Sequence, residues 1–224
     1  VEGPKFCGKT TTSALFAKSE IRLNTKAAIQ IARIEPYNVL IGERPRLIDE
    51  WQTVPDLWNQ AKAWIDENPG FGQFIFTGSS TPVDNSDIFH SGAGRITRVM
   101  MRPMSLFESR DSKGSVSLSS LFEGNSPAVF DMNDGYGLED TAFLLCRGGW
   151  PLSIQPDKDV ALEVTSNYYE SLFNLANSEN PNFRNKNPEI MKIVMRAYAR
   201  HVSSQTPTTK ILADIAARDS RYIS

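Results

Sequence analysis

Cysteine and histidine are scarce in this sequence of 224 residues, which contains two of each. Cys7 and Cys146 lie far apart, and neither these cysteines nor His90 and His201 have the spacing of metal ligands. Disulfide frameworks and Cys/His metal sites require more of these residues at closer intervals. The scarcity therefore argues against a disulfide-stabilised secreted domain and predicts a reducing location, the cytoplasm.

Long apolar runs are also lacking, although 40% of the residues are hydrophobic. A helix that spans a bilayer needs about 20 mostly apolar residues, and the sequence contains no such run. We therefore predict no membrane-spanning helix and no membrane partner. The net charge is only -2, so the chain as a whole is not a general ligand for nucleic acid.

The small net charge conceals an uneven distribution. Residues 181–224 contain eight Lys/Arg and three Asp/Glu, a net charge of +5, so the rest of the chain carries -7. A basic segment is typical of contact with nucleic acid, although a solvated basic helix face is the commoner explanation. Duplex DNA is therefore a candidate partner of this segment.

Strand and helix patterns alternate along the first part of the chain. We predict helices over 9–18, 26–34 and 55–67, and strands over 20–23, 45–49, 73–77 and 96–101. This alternation is typical of an α/β fold in which helices cover a parallel sheet. Only Val1 and Glu2 precede the first loop motif, so we expect a truncated first strand and a chain that is a fragment of a longer protein.

After Pro103 the pattern becomes mainly helical. Helices are predicted over 104–108, 118–122, 138–145, 161–175, 188–202 and 208–218, with a polar linker over 177–187. Three regions follow from this pattern: an α/β core over 1–104, a helical lid or linker region over 105–180, and a separate C-terminal piece over 181–224.

The first chemical motif is a glycine-containing loop at the start of the chain. Its sequence, GPKFCGKT, matches GxxxxGK[ST], in which backbone N–H groups surround phosphates at the N-terminus of the next helix. Lys9 is expected to reach the β- and γ-phosphates, and the Thr10 hydroxyl to ligate Mg²⁺. The structural alternative is a turn that only caps a helix. The predicted nucleotide-binding residues are Gly3, Pro4, Lys5, Phe6, Cys7, Gly8, Lys9, Thr10 and Thr11.

The second motif is an acidic pair at the end of an apolar strand, in the sequence LIDE. Asp49 is predicted to bind Mg²⁺, and Glu50 to act as the base that polarises the attacking water. An apolar strand that simply ends at solvent in two acids is the alternative interpretation. About 40 residues after a phosphate-binding loop, however, the pair indicates a hydrolase.

Two further segments carry candidate residues. The sequence FIFTGSS is an apolar strand followed by small polar residues, so Thr77 or Ser79 is expected to contact the γ-phosphate or the attacking water. The sequence SGAGR contains Arg95 after a flexible glycine pair, and Arg95 is the candidate for neutralising charge on the γ-phosphate. Arg98 and Arg102 follow and are spaced like residues on one face of a strand. Contacts with solvent or with another domain explain this spacing equally well.

Together these blocks resemble a known family. GPKFCGKTTT, LIDEWQTVPDLW, FIFTGSSTP, SGAGR, MRPMSLFE and CRGGWPL occur in this order. The set is similar to prokaryotic AAA-type ATPases that carry a winged helix and a nuclease-like C-terminal domain of unknown function. The resemblance implies a P-loop NTPase sheet with an additional strand between the phosphate loop and the Mg²⁺-binding acid. It also implies ATP rather than GTP, and a partial winged helix in the C-terminal piece.

The sequence therefore predicts an ATP-hydrolysing, Mg²⁺-dependent switch or motor core. Two other functions remain open: a DNA-interaction module regulated by nucleotide, and a nucleotide-gated signalling scaffold that uses residues 138–175. Size-exclusion chromatography with and without ATP would test the scaffold function. A monomer whose elution volume does not change with ATP would exclude it. An arginine that acts in trans would require a homo-oligomer, which the sequence does not decide.

Overall fold

The computed structural model of the protein describes residues 1–78, 94–125, 135–174 and 187–218. These residues form two compact units, Val1–Thr165 and Ser166–Ser224. Each unit is described by itself below. The boundaries at residues 104 and 180, which separate the three regions predicted from the sequence, stay predictions.

The first unit contains a sheet of three short parallel strands, β1 (Ser19–Arg22), β2 (Arg46–Asp49) and β3 (Phe74–Thr77), in the order β1-β2-β3. The last residues of β2 and β3, Asp49 and Thr77, are paired in register. β2 is the central strand, and Leu47, Ile48 and Asp49 in it are buried. The predicted parallel sheet is confirmed.

The segment before the phosphate loop lies next to β3. Glu2 forms parallel bridges with Gly78 on one side and with Met100 on the other. The Glu2 N–H donates to the Val99 carbonyl at 2.9 Å, and the Met101 N–H donates to the Glu2 carbonyl at 2.7 Å. β3 therefore lies between the Glu2 segment and β2, as predicted. The predicted strand over 96–101 is wrong in extent, because only Met100 forms a bridge.

Four helices belong to this α/β region: α1 (Lys9–Ala14), α2 (Lys26–Ile34), α3 (Pro36–Val39) and α4 (Asp56–Glu67). α1 is shorter than predicted, and the short α3 was not predicted. The Thr25 hydroxyl caps α2 by accepting the Ala28 N–H at 3.2 Å. The helices cover a core on one side of the sheet, formed by Leu23, Ala32, Val39, Leu40, Ile48, Val54, Leu57 and Ala61.

Residues 104–108 do not form the predicted helix. The Glu108 carboxylate accepts the Ser105 N–H at 2.8 Å and the Ser105 hydroxyl at 2.9 Å, so a single turn begins as a helix would. Arg110 then adopts a φ of 64°, the left-handed region, and the helical path ends there. Only turns therefore occur at residues 106–110.

Further along, the chain forms α5 (Leu118–Phe122), α6 (Leu138–Arg147), a 3₁₀ turn (Pro151–Ser153) and α7 (Lys158–Asn174). α7 crosses the boundary between the two units. The helices predicted over 118–122, 138–145 and 161–175 are confirmed with small changes of extent. Within the described ranges, no helix is long and apolar enough to cross a membrane.

The second unit contains α8 (Pro188–Arg200) and α9 (Thr208–Arg218). The Asn187 side chain caps α8 by accepting the Glu189 N–H at 2.9 Å. A small core joins the two helices, formed by Ile193, Val194, Ala197, Ile211 and Ile215. The two predicted helices are confirmed, whereas the partial winged helix stays a prediction.

Candidate functional site

The phosphate loop has an unusual backbone that its sequence permits. Gly3 and Gly8 have φ values of 155° and 98°, and Phe6 has a φ of 62°. A Cβ atom on Gly3 would lie closer than 3.0 Å to the Met101 carbonyl oxygen, so the chain can pass here only as glycine. The Gly8 carbonyl accepts the Thr12 N–H at 2.9 Å and starts α1. The loop therefore leads directly into a helix N-terminus.

Lys9 lies inside the loop. Its side chain is buried, and its Nζ atom donates to the carbonyl oxygens of Gly3 at 3.0 Å and Pro4 at 2.7 Å. A phosphate in the loop would compete with these two carbonyls for the ammonium group. The ammonium group of Lys9 therefore lies among the carbonyl groups of the loop, and its contact with phosphates stays a prediction.

The remaining loop residues differ in exposure. Lys5, Phe6 and Thr11 are exposed, whereas Cys7 is fully buried with its Sγ atom 3.7 Å from the Met101 carbonyl oxygen. Cys7 therefore contributes to packing beneath the loop. The described contacts leave its backbone N–H as the group that would meet a phosphate.

Three predicted residues meet at one carboxylate oxygen. The hydroxyls of Thr10 and Thr77 both donate to Asp49 Oδ1, at 2.9 Å and 2.6 Å. Asp49 is buried and Thr77 is completely buried. These residues come from the loop and from the carboxyl ends of two adjacent strands, so the parallel register of the sheet brings them together.

Glu50 follows Asp49 with a left-handed backbone, φ 58° and ψ 39°. Its N–H donates to the Thr77 carbonyl at 2.9 Å, and its carboxylate accepts a hydrogen bond from the Gln52 side-chain amide. The sharp turn directs the chain away from the strand, while Gln52 restrains the carboxylate. Glu50 is half-buried and lies directly after the Asp49 position.

Sequence reasoning missed the role of Gln52, although it is part of the LIDEWQ block. Its side chain packs so tightly against Gly78 that a Cβ atom there would lie closer than 3.0 Å to Gln52 Oε1. The sequence pattern that could have indicated this role is a glutamine two residues after Glu50, together with a glycine, Gly78, directly after β3. Gln52 and Gly78 together fix the orientation of Glu50.

Arg95 lies elsewhere in the described structure. Its Nε atom is 2.5 Å from Asp66 Oδ1, near the end of α4, and both side chains are partly exposed. Hydrogen bonds from Arg95 and from Lys62 lower the pKa of Asp66 below its usual value. The structure does not bring Arg95 to Asp49, and its catalytic role stays a prediction.

The other two arginines of this segment also differ. Arg98 pairs with Glu2 at 3.3 Å in an exposed ion pair. Arg102 is exposed, directly follows Met101 beside the loop, and forms no ion pair with the described residues. Of the predicted sensor residues, Ser79 lies outside the described residues, as do Ser80 and the first three residues of SGAGR.

Two residues that the sequence did not single out border the loop. A Cβ atom on Gly8 would lie 3.4 Å from Met101 Cε and 3.7 Å from Pro151 Cγ. Pro151 belongs to the CRGGWPL block, more than 140 residues from the loop in sequence. The α/β region and the later helical region therefore meet at the phosphate loop within the first unit.

Residues 1–109, just under half of the chain, match the sequence model of a family described as AAA domain. The matched region contains the phosphate loop, Asp49, Glu50, Thr77 and Arg95. The match supports an AAA-type P-loop ATPase family for this region and, at a general level, an ATPase-like function. Searches among curated proteins and among solved structures found no significant match.

Proposed function

We propose that this chain is the core of an AAA-type ATPase that binds ATP with Mg²⁺ and hydrolyses it to ADP and phosphate, as a switch or motor. One observation carries the proposal. The hydroxyls of Thr10 and Thr77 converge on Asp49 Oδ1, next to a loop that encloses Lys9. A structural turn would not need a buried carboxylate, two hydroxyls and a buried ammonium group in the same place.

The chemistry of these residues fits Mg²⁺. This ion prefers oxygen ligands and is usually held by one or two carboxylates together with water and substrate phosphates. Thr10 Oγ1 and Asp49 Oδ1 are 2.9 Å apart, so both can reach one ion. No group of three or more His, Cys, Asp or Glu residues that could hold a metal occurs in the part of the chain that the structure describes. The bound ion would neutralise charge on the phosphates.

The chain's own residues would share the remaining steps. When ATP binds, Lys9 Nζ would donate to phosphate oxygens instead of to the carbonyl oxygens of Gly3 and Pro4. Glu50 accepts a proton from the water whose oxygen attacks the γ-phosphorus, while the bond from that phosphorus to the bridging oxygen of ADP breaks. Thr77, whose hydroxyl donates to Asp49 Oδ1, would contact the γ-phosphate or the attacking water.

Arg95 is proposed as the residue that neutralises charge on a γ-phosphate of a neighbouring subunit. Its present partner, Asp66, is exposed, and exposed ion pairs contribute little to stability. Arg95 can therefore exchange partners at small cost when a phosphate of another copy approaches. This role requires a homo-oligomer.

Lys9→Ala provides the direct test of nucleotide binding. We expect ATP affinity to fall at least about tenfold, because a charge-assisted hydrogen bond to phosphate is lost. Isothermal titration with ATP and Mg²⁺ measures the change, and circular dichroism checks the fold. Lys26→Ala is the matched control, because Lys26 is an exposed lysine at the start of α2, outside the phosphate loop. Equal affinity of the wild type and Lys9→Ala would refute the proposal.

A second candidate function is the binding of duplex DNA by the basic second unit. Lys192 pairs with Glu170 at 2.9 Å and Arg200 pairs with Asp214 at 2.7 Å, so these two charges are partly neutralised. Arg196 on α8 and Lys210 on α9 are exposed and form no ion pair with the described residues. Among the described residues of this unit, these two cations are candidate phosphate contacts.

For DNA binding, we expect Arg196→Ala and Lys210→Ala each to weaken affinity for a duplex and to reduce the slope of log K against log salt by about one. Lys192→Ala should change both less, because its charge is already paired. Fluorescence anisotropy over a salt series measures these quantities. A duplex that does not bind at low salt would exclude this function.

Two finer features also remain proposals. Residues 181–224 would be a partial winged helix, and the cytoplasm would be the location of the protein. The match to the AAA domain family ends at residue 109 and does not bear on either feature. ATP and ADP are accordingly the first ligands to test.

A further inference from the structure

A buried ion pair joins two distant segments of the first unit. Arg147 Nη2, at the end of α6, lies 2.7 Å from Asp111 Oδ2, and the two side chains are only 5% and 19% exposed. Asp111 also accepts a hydrogen bond from the Ser109 hydroxyl at 2.5 Å. The hydrogen bond from Arg147 lowers the pKa of Asp111, although burial opposes this effect. The Asp111 carboxylate therefore remains charged at neutral pH, and the ion pair ties Asp111 to the end of α6.

A second contact joins the same segments beside the ion pair. The Met104 N–H donates to the Gly149 carbonyl at 2.7 Å. A Cβ atom on Gly149 would lie closer than 3.0 Å to the Met104 backbone, so only glycine permits this approach. The two segments are therefore fixed against each other through backbone as well as side chains.

The corner that follows Arg147 is itself closed by hydrogen bonds. The Arg147 carbonyl accepts the hydroxyls of Thr165 at 2.9 Å and Ser153 at 3.2 Å. Ser153 is fully buried and ends the 3₁₀ turn that begins at Pro151. A displacement of Arg147 would therefore be transmitted to Pro151.

Both segments end at the phosphate loop. Pro151 Cγ and Met101 Cε stand 3.7 Å and 3.4 Å from the position that a Gly8 Cβ atom would occupy. Gly8 immediately precedes Lys9, so these two side chains form a wall against the loop at the point where it turns into α1. No described hydrogen bond or ion pair joins Arg147 or Asp111 to Lys9, Asp49 or Glu50.

We propose that Arg147 and Asp111 are positioning residues for nucleotide binding, because their ion pair holds Pro151 and Met101 against Gly8. This inference rests on the proposed ATP-binding function. The pair acts on the shape of the loop and not on the hydrolytic groups at the ends of the strands. Its loss should therefore raise KM and Kd for the nucleotide while kcat changes little.

The test uses Arg147→Lys, Pro151→Ala and the double variant in the full chain. Lysine retains the charge but not the two-pronged contact of the guanidinium group. We expect each single variant to weaken ADP and ATP binding about tenfold, and the double variant to weaken it no more than the stronger single variant. Titration calorimetry gives Kd, and steady-state assays give KM and kcat separately.

Lys158→Met is the control, because it breaks the exposed ion pair with Asp140 in the same unit. It should leave Kd unchanged. Should Arg147→Lys not fold, Pro151→Ala alone decides, because Pro151 is the residue through which the ion pair would act on Gly8.

Wild-type affinity in a folded Arg147→Lys or Pro151→Ala protein would overturn the inference, as would additive effects or a loss confined to kcat. In each of these three cases the proposed function would stand, because it depends on binding by the wild type. A wild type that binds no ATP would instead refute the proposed function, and the inference with it.

Discussion

Glu50→Gln is expected to lower the turnover of ATP by about 10²–10⁴, while ATP still binds. The amide has the size of the carboxylate but cannot accept a proton from the attacking water. Its oxygen can still accept the hydrogen bond that Gln52 donates to Glu50. The left-handed backbone at this position and the N–H bond to the Thr77 carbonyl should also persist. The substitution therefore removes the base without removing the site.

Single-turnover and steady-state phosphate release measure this effect, and a binding titration with ATP runs in parallel. Glu67→Gln is the matched control, because Glu67 is an exposed acid at the end of α4. Equal turnover of Glu50→Gln and the wild type would show that another group accepts the proton. Loss of both binding and turnover would point to a structural role for Glu50.

The local parts of this site could be predicted from the sequence. The phosphate loop and the LIDE strand end are short contiguous motifs whose chemistry depends on neighbouring residues. Apolar strands alternating with helices predict a parallel sheet, and the carboxyl ends of parallel strands lie at one edge. The sequence accordingly predicts Thr10 and Asp49 as Mg²⁺ ligands and Thr77 or Ser79 as a contact of the γ-phosphate or the attacking water. The hydrogen bonds at Asp49 connect Thr10, Asp49 and Thr77.

The parts that were not predicted depend on contacts between distant residues. The Asp111–Arg147 pair spans 36 residues, and the approach of Pro151 to Gly8 spans more than 140. No periodic pattern encodes such pairs. The absence of a helix at residues 104–108 has a local cause that composition does not reveal, the left-handed backbone of Arg110. Arg95 illustrates the same limit, because its position after a glycine pair did not indicate Asp66 as its partner.

Gly3→Ala adds one methyl group, and we expect it to destabilise the first unit more than one added methyl group anywhere else at the site. A Cβ atom on Gly3 would lie closer than 3.0 Å to the Met101 carbonyl oxygen, and the φ of 155° is one that side chains rarely adopt. The obstacle is backbone and cannot rotate away. Met101 is also fixed by its N–H bond to the Glu2 carbonyl at 2.7 Å, so a shift would break the bridge beside the loop.

We therefore expect Gly3→Ala to lower the free energy of unfolding by about 3 kcal/mol, from steric overlap and backbone strain together. Urea denaturation measures the loss. The control is Gly72→Ala, because Gly72 has a φ of 66° but no atom within 4 Å of its Cβ position. That variant isolates the backbone term, about 1 kcal/mol. If the two substitutions lowered stability equally, the contact between Gly3 and Met101 would not hold the phosphate loop in place. A larger loss for Gly3→Ala, accompanied by weaker ATP binding, would show that the loop's shape depends on the neighbouring segment at Met101.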